Sequence, residues 1–174
     1  AIPLGPGQPG SFLHALSARE RFEDLQVFGA LLVDLYPLFT RPGVRFLSGF
    51  FGPVERLLVA AGNNVEFVPA DFRRFASIAR RLAPRVMATS AAPPDAEGRL
   101  SLSLHAGATV DELQRCGRDP DRLLVVESNP RLPRTFGLPP AHPHSLHVDE
   151  IDILIESDRD VFVLPDAEPS PVER

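Results

Sequence analysis

The sequence predicts an α/β fold, an open, mainly parallel twisted sheet with flanking helices. Three observations predict it. Short β-rich runs alternate with amphipathic stretches along most of the chain, and strand–helix repetition implies βαβ units with right-handed crossovers. One run, Leu123-Leu-Val-Val126, is continuously apolar, the pattern of a strand buried on both faces. The 174 residues, 44% hydrophobic and 24% charged, suffice for one soluble globular core.

The elements follow in order. The opening Gly5-Pro-Gly-Gln-Pro-Gly10 is a tight loop entering a helix over 10–18. Residues 25–30 and 44–48 carry Val27, Phe28, Val44 and Phe46 and read as strands, because β-branched and aromatic side chains suit a pleated, buried surface. Pro53 suits the first turn of a helix over 53–62, and Gly62 its end. Residues 64–69 form a strand. Phe72, Phe75, Ile78, Ala79 and Leu82 recur at helical spacing, so 71–83 is a helix with one apolar face. Strands over 86–90 and 100–104 follow, then a helix near 108–116 and the strand over 123–127. Residues 129–145 hold five prolines and no apolar period. Proline deletes amide donors and blocks helix continuation, so this stretch is an extended loop. A loop of such length is usually functional or disordered. A strand over 151–156 closes the series.

The tail over 165–174 reads as a linker. We therefore expect one domain over 1–164 and, beyond the linker, a second, carboxyl-terminal domain. The start at Ala1 without Met fits a fragment of a longer chain. The net charge of −5 disfavours nucleic acid, whose binders need a basic footprint. No apolar run approaches the roughly 20 residues of a membrane span, so no membrane partner is expected. Every basic side chain is Arg. The single Cys116 fits a reducing, cytoplasmic setting. It closes a helix before Gly117 and reads as a packed residue, since reactive thiolates favour helix N-termini or cationic pockets.

Several groups could carry chemistry. The opening loop matches G-x-G-x-x-G, whose glycines let backbone approach a pyrophosphate. Its two prolines delete amides, however, and no strand is evident before it. A dinucleotide-binding oxidoreductase domain is thus the weakest alternative. His142, His144 and His147 are close in sequence, but they lack a neighbouring Cys or an i,i+4 pair for zinc; His147 is expected to be the buried one. Ser101, Ser103 and His105 lack a nucleophile elbow. Asp149, Glu150 and Asp152 read as solvated or capping carboxylates. Residues 93–98, Pro-Pro-Asp-Ala-Glu-Gly, form a turn at the carboxyl end of a strand, the edge where open parallel sheets bind ligands.

Three of these segments together resemble a family. Pro93-Pro94-Asp95-x-x-Gly98 precedes Ser101-Leu102. Glu127-Ser128-Asn129-Pro-x-x-Pro133-x-x-x-Gly137 comes next, then His147-Val-Asp-Glu-Ile-Asp152. The family pattern is S-P-P-D-x-x-G-x-x-S-L-G, then E-V-N-x-x-x-P-x-x-x-G, then H-V-S-E-I-D. This order resembles the amino-terminal domain of the acetyl-CoA hydrolase and 4-hydroxybutyrate CoA-transferase family, within the class I CoA-transferases. The match is good over 86–156 and looser before it, through Pro9, Gly49-Phe-Phe-Gly52 and residues 68–72. Ala92 stands where the family has Ser, and Leu104 replaces the Gly that follows Ser-Leu.

The resemblance implies one half of a two-domain enzyme acting on short-chain acyl-CoA through a Glu-linked intermediate, with that Glu in the other domain. No catalytic residue, metal or resident cofactor is then expected here; coenzyme A is a substrate. Expected partners are acyl-CoA, a carboxylate acceptor or water, and the carboxyl-terminal domain, and a homodimer is allowed. Substrate-binding candidates are Gly7 and Pro9, Gly49 and Gly52, Pro94 and Asp95, and Asn129. The alternative is a non-catalytic module that binds CoA or a nucleotide.

Overall fold

The expected alternation of strands and helices is present in the computed structural model, which describes residues 1–105 and 107–163. In chain order the elements are α1 (Gly10–Ser17), β1 (Leu25–Gly29), β2 (Val44–Ser48), α2 (Pro53–Ala60), β3 (Val65–Phe67), α3 (Phe72–Leu82), β4 (Val86–Ala91), β5 (Arg99–Ser101), α4 (Val110–Gly117), β6 (Leu123–Ser128), β7 (Gly137–Leu138), β8 (His142–Pro143), β9 (Ser145–His147) and β10 (Ile153–Glu156). Strands β1-β2-β3 form one parallel sheet, and β10-β6-β4 another.

Residues 1–4 join the two. Ile2 N donates to Phe28 O of β1 at 2.9 Å, and Ala88 N of β4 donates to Ala1 O at 3.0 Å. Leu4 bridges Ala30 in parallel register. The opening residues are therefore the central row of one continuous parallel array. This corrects the expectation that no strand precedes the glycine loop. Four residues are too few to show an alternating pattern, and only their two neighbours reveal them as sheet.

Alternation along each strand sends side chains to opposite faces. Val27, Phe46, Ala88 and Val125 face Leu13 of α1 and Leu58 of α2. Met87, Leu124 and Val126 face Leu113 and Cys116 of α4, while Phe28 and Leu47 face Phe75 and Ala79 of α3. Both faces are covered, as a parallel sheet requires. Cys116 is fully buried and its Sγ lies 3.2 Å from Leu123 O; burial raises its pKa, so it is a packed thiol. The apolar face expected of α3 is only partly used. Phe75 stacks on Phe28 at 4.7 Å, but Phe72 stays 56% exposed and Leu82 40%. They stand at the two ends of the helix, beyond the central contact that Phe75 and Ala79 make.

Two segments depart from expectation. Residues 100–104 do not extend the parallel sheet; β5 pairs antiparallel with β9. The proline-rich loop contains a minimal hairpin, β7 with β8. Gly137 makes its corner possible, with φ of 65° and no room for a Cβ against His142 O. No helix among the described residues is long and apolar enough to cross a membrane. The expected linker over 165–174 lies outside the described residues.

Positive φ locates the family's S-L-G glycine. Counting from Gly98, it falls on Ser103, whose φ is 53°, and not on Leu104. The Ser103 hydroxyl is also buried without a partner among the described residues. A left-handed non-glycine costs roughly 1–2 kcal/mol, and an unpaired buried hydroxyl adds to it. Ser103→Gly should stabilise the protein by about 1 kcal/mol after the glycine's entropic cost. Urea titration should show this as a higher midpoint at unchanged slope.

Candidate functional site

The loops that follow the carboxyl ends of the parallel strands converge on one edge. There the glycine loop leads from residues 1–4 into α1, whose first amides Ser11 N and Phe12 N donate to Glu127 Oε2 at 2.7 and 3.2 Å. Glu127 ends the apolar run of β6 and is 3% exposed. A helix N-terminus offers free amides and a positive dipole end to an anion. Here a protein carboxylate fills that place. A pyrophosphate brought to the same amides would meet like charge, so the G-x-G-x-x-G loop does not serve as a dinucleotide fingerprint. Strand, loop and helix are all present, but the phosphate position is taken.

The loop itself is pinned by β4 and β1. Thr89 Oγ1 donates to Gly7 O at 3.3 Å, and Ser90 Oγ donates to Gln8 O at 2.8 Å. Gln8 Nε2 donates to Ala30 O and Leu31 O at 3.0 and 3.1 Å, and its Oε1 accepts from Val33 N at 3.3 Å. Gly7 is packed rather than open to ligand: a Cβ there would stand 2.9 Å from His105 Cδ2. Pro9 is buried ahead of α1, and Pro9 O accepts from Leu13 N. Between this loop and the 33–36 segment lies a polar cleft of about 170 Å³. Gln8, Tyr36, Ser90, Glu127, Asn129 and Arg159 line it. Asp34 stands at its side, with Oδ2 3.0 Å from His14 Nε2 and 3.7 Å from Arg159 NH2. The His14 hydrogen bond holds the Asp34 carboxyl below its ordinary range. Burial raises the pKa of the Tyr36 phenol, reinforced by Asp34 and Glu127.

Gly49 and Gly52 lie one strand further along the same edge and do not line the cleft. A Cβ at Gly49 would stand 3.0 Å from Phe75 Cε2, so that glycine admits the ring of α3. Gly52 begins α2, and its amide donates to Glu55 Oε2 at 2.9 Å. Glu55 is fully buried. Its Oε1 accepts from Leu32 N at 2.9 Å and from Ser48 Oγ at 3.1 Å. One carboxylate thus joins the end of β2, the start of α2 and the segment beside the cleft.

The proline–aspartate corner and the asparagine–proline segment are neighbours. Asn129 N donates to Ala91 O at 2.9 Å. Arg134 spans the two, donating to Pro93 O at 2.6 Å and to Asp95 Oδ2 at 2.9 Å. Asp95 Oδ1 accepts from Glu97 N and Arg99 N at 3.1 and 2.8 Å. The Arg99 amide is the main reason that its carboxyl sits below the ordinary range. Both Asp95 oxygens are committed to the turn. Pro94 is exposed and, with Pro93, Ser128, Pro130 and Asp158, lines a second hollow of about 460 Å³. Asn129 stands between the two spaces. Its Nδ2 donates to Arg159 O at 2.8 Å and its Oδ1 accepts from Arg131 N at 2.9 Å, so it ties the segment after β10 across the cleft.

The histidines are dispersed. His147 is half exposed and its Nε2 lies 3.0 Å from Glu97 O; His144 Nε2 lies 3.2 Å from Ser103 O. No cluster of three potential metal ligands occurs among the described residues. The buried histidine is His105, not His147. His105 Nε2 lies 2.6 Å from Thr109 Oγ1, and its Nδ1 accepts from Gly107 N at 2.9 Å. Its place under Gly7 takes it out of water, which pattern alone does not show. Ser101 Oγ donates to Thr135 O at 2.8 Å, so it holds the loop and is not paired with His105.

Sequence reasoning missed Gln8, Tyr36, Ser90, Glu127 and Arg159 of the cleft, and also Glu55. A charged residue ending an apolar strand was the available signal for Glu127, and a Glu three residues after the start of a helix was that for Glu55. Nothing local marked the others.

No family model matches the chain, and no curated protein matches it in sequence. Solved structures do match. RipA from Yersinia pestis superposes with a TM-score of 0.79 at 23% identity, covering 98% of this chain and 41% of that one. The 4-hydroxybutyrate CoA-transferase from Porphyromonas gingivalis gives 0.59 at 17% identity, covering 95% and 37%. The fold is that of a CoA-transferase amino-terminal domain. The malonate decarboxylase alpha subunit from Acinetobacter baumannii shares this CoA-transferase-like fold, with a TM-score of 0.60 at 16% identity over 95% of this chain and 32% of that one. The chain therefore spans about two fifths or less of each of these proteins.

Two outcomes follow for this CoA-transferase-like fold. Glu55→Ala leaves the amides of Leu32 and Gly52 unpaired, while the Ser48 hydroxyl keeps Phe50 O at 2.9 Å, so unfolding in urea should show a loss of about 3 kcal/mol, with Glu55→Gln losing less. His105 is held to a pKa of about 3, against an ordinary 6.5, by burial and then by His144. Above pH 6.5 the ring is neutral both folded and unfolded. Below it the unfolded chain gains a proton that the folded chain refuses until about pH 3. Stability therefore falls with acid across that window, by up to about 1.4 kcal/mol per pH unit. Denaturation midpoints between those limits should fall less steeply for His105→Asn than for the parent.

Proposed function

We propose that this chain is the amino-terminal half of an acyl-CoA hydrolase or CoA-transferase acting on short-chain acyl-CoA. One observation carries the reading. Separate loops meet at the carboxyl edge of one parallel sheet and enclose a small cleft walled by the buried polar groups of Gln8, Ser90, Glu127 and Asn129. Open α/β sheets bind ligands at that edge. The likeness in fold to a 4-hydroxybutyrate CoA-transferase and the three sequence motifs support the same reading.

In this account a carboxylate from the second domain attacks the thioester carbonyl. CoA thiolate leaves and an acyl–glutamyl anhydride forms. CoA then attacks the glutamyl carbonyl, releasing the carboxylic acid and leaving a glutamyl thioester, which a carboxylate acceptor resolves; in a hydrolase, water does so. The residues described here wall the acyl end of that site. Coenzyme A enters as a substrate.

The amides of α1 are occupied by Glu127, which argues against the dinucleotide alternative.

The test uses the full polypeptide. Labelled CoA should exchange between short-chain thioesters and free carboxylates, or be released by water. Borohydride added during turnover should reduce one Glu outside residues 1–174 to the alcohol. Binding of acyl-CoA with neither exchange nor hydrolysis would instead assign the non-catalytic module.

A further inference from the structure

We propose that the Tyr36 hydroxyl is a catalytic hydrogen-bond donor to the thioester carbonyl oxygen, which it meets in the space left open by Gly10. This rests on the acyl-CoA reading above and assigns to that reaction a residue of this half.

The ring of Tyr36 is fixed. It is 2% exposed, with edge contacts to His14 at 5.3 Å and Phe39 at 6.2 Å between ring centroids. Pro37 follows it and opens a short 3-10 turn, Pro37–Thr40, whose Leu38 N donates to Ser17 Oγ of α1 at 2.8 Å. The phenol oxygen faces the cleft. It makes no hydrogen bond within the limits of a real one to any described residue. The hydroxyl is open to the cleft rather than sealed in the core, and the polar side chains of Gln8, Ser90, Glu127 and Asn129 around it are already engaged.

The position of Gly10 shows what the hydroxyl faces. A Cβ at Gly10 would stand 4.0 Å from Tyr36 Oη and 3.6 Å from Arg159 Nε. That empty point is open space beside a phenol and a guanidinium, in ordinary van der Waals range of both. Gly10 has an ordinary helical backbone, so its lack of a side chain is not needed for its conformation. The gap is what the glycine provides.

The chemistry of the cleft selects the acceptor. Asp34 and Glu127 stand beside it, and Arg159 Nε lies across the gap, so the guanidinium offsets the two carboxylates as charge develops on an entering oxygen. A neutral carbonyl oxygen enters, and it gains charge only during reaction. Burial and the two carboxylates keep the proton on the phenol, so Tyr36 is a donor and not a base. As the attacking carboxylate forms its C–O bond, the carbonyl π pair moves onto this oxygen, where the Tyr36 hydrogen bond shortens. Collapse restores the C=O bond, breaks the C–S bond and releases CoA thiolate. Tyr36 keeps its proton throughout. Donors placed where charge develops are worth more in the transition state than in the ground state.

Two variants of the full polypeptide test this. Tyr36→Phe keeps the ring and removes the donor. Its kcat for acyl transfer from acetyl-CoA or butyryl-CoA should fall roughly 100-fold, with KM within about threefold and an unchanged melting temperature, a split that a packing role would not give. Gly10→Ala keeps the helix and fills the gap, so it should lower kcat/KM at least tenfold without loss of stability. An active parent with a Tyr36→Phe variant within twofold of it in kcat overturns the role of Tyr36 and leaves the acyl-CoA reading standing. A parent that neither exchanges nor hydrolyses any short-chain acyl-CoA overturns that reading, and the assigned acceptor with it.

Discussion

The insertion of residues 1–4 between β1 and β4 is the constraint on which the rest of the structure depends. Without that row the chain holds two narrow parallel sheets, each with an unpaired inner edge. With it, Ile2 and Ala1 satisfy both neighbours, and the carboxyl ends of all the parallel strands come to lie along one line. The glycine loop then leaves the sheet at its centre. Everything that the cleft contains, from Gln8 to Glu127, is placed relative to that exit.

Two buried carboxylates organise this edge in the same way. Glu127 is held by the first amides of α1, and Glu55 by the amide that starts α2 and by Leu32 N. Neither is held by a basic side chain through a described ion pair. Backbone amides at helix starts supply the counter-field instead. Removing a charge from water is expensive unless such donors are already aimed at it. The two loops nearest the cleft are therefore fixed without a basic side chain. Among the described residues, Arg159 is the one basic residue that lines it.

The sequence motifs mark scaffold more than contact surface. Asp95, conspicuous in the proline–aspartate corner, spends both oxygens on its own turn and on Arg134. Gly49 and Gly7 are bare because Phe75 and His105 press against them. Asn129 ties the segment after β10 to the end of β6 and lines the cleft as well. Recurrent turns are legible because their backbone needs particular residues: Gly98 at φ of 76° and the Asp that bonds the amides after it. A cleft wall needs only the right atom at the right point, and many residue types supply one.

The sequence by itself determined the strand–helix order, the parallel class of the sheet, the packed thiol of Cys116 and the turn at residues 93–98. Each rests on periodicity or on backbone demands that act within a few residues. Only the tertiary structure decided that residues 1–4 are the central row, that Ser103 takes the left-handed position, that Phe72 stays in water, and that Tyr36, Glu127 and Arg159 share one space. Those outcomes depend on which distant segments become neighbours. Chain separation hides that from local pattern, because the hydrogen bonds and desolvation that fix it are formed only once the sheet has closed.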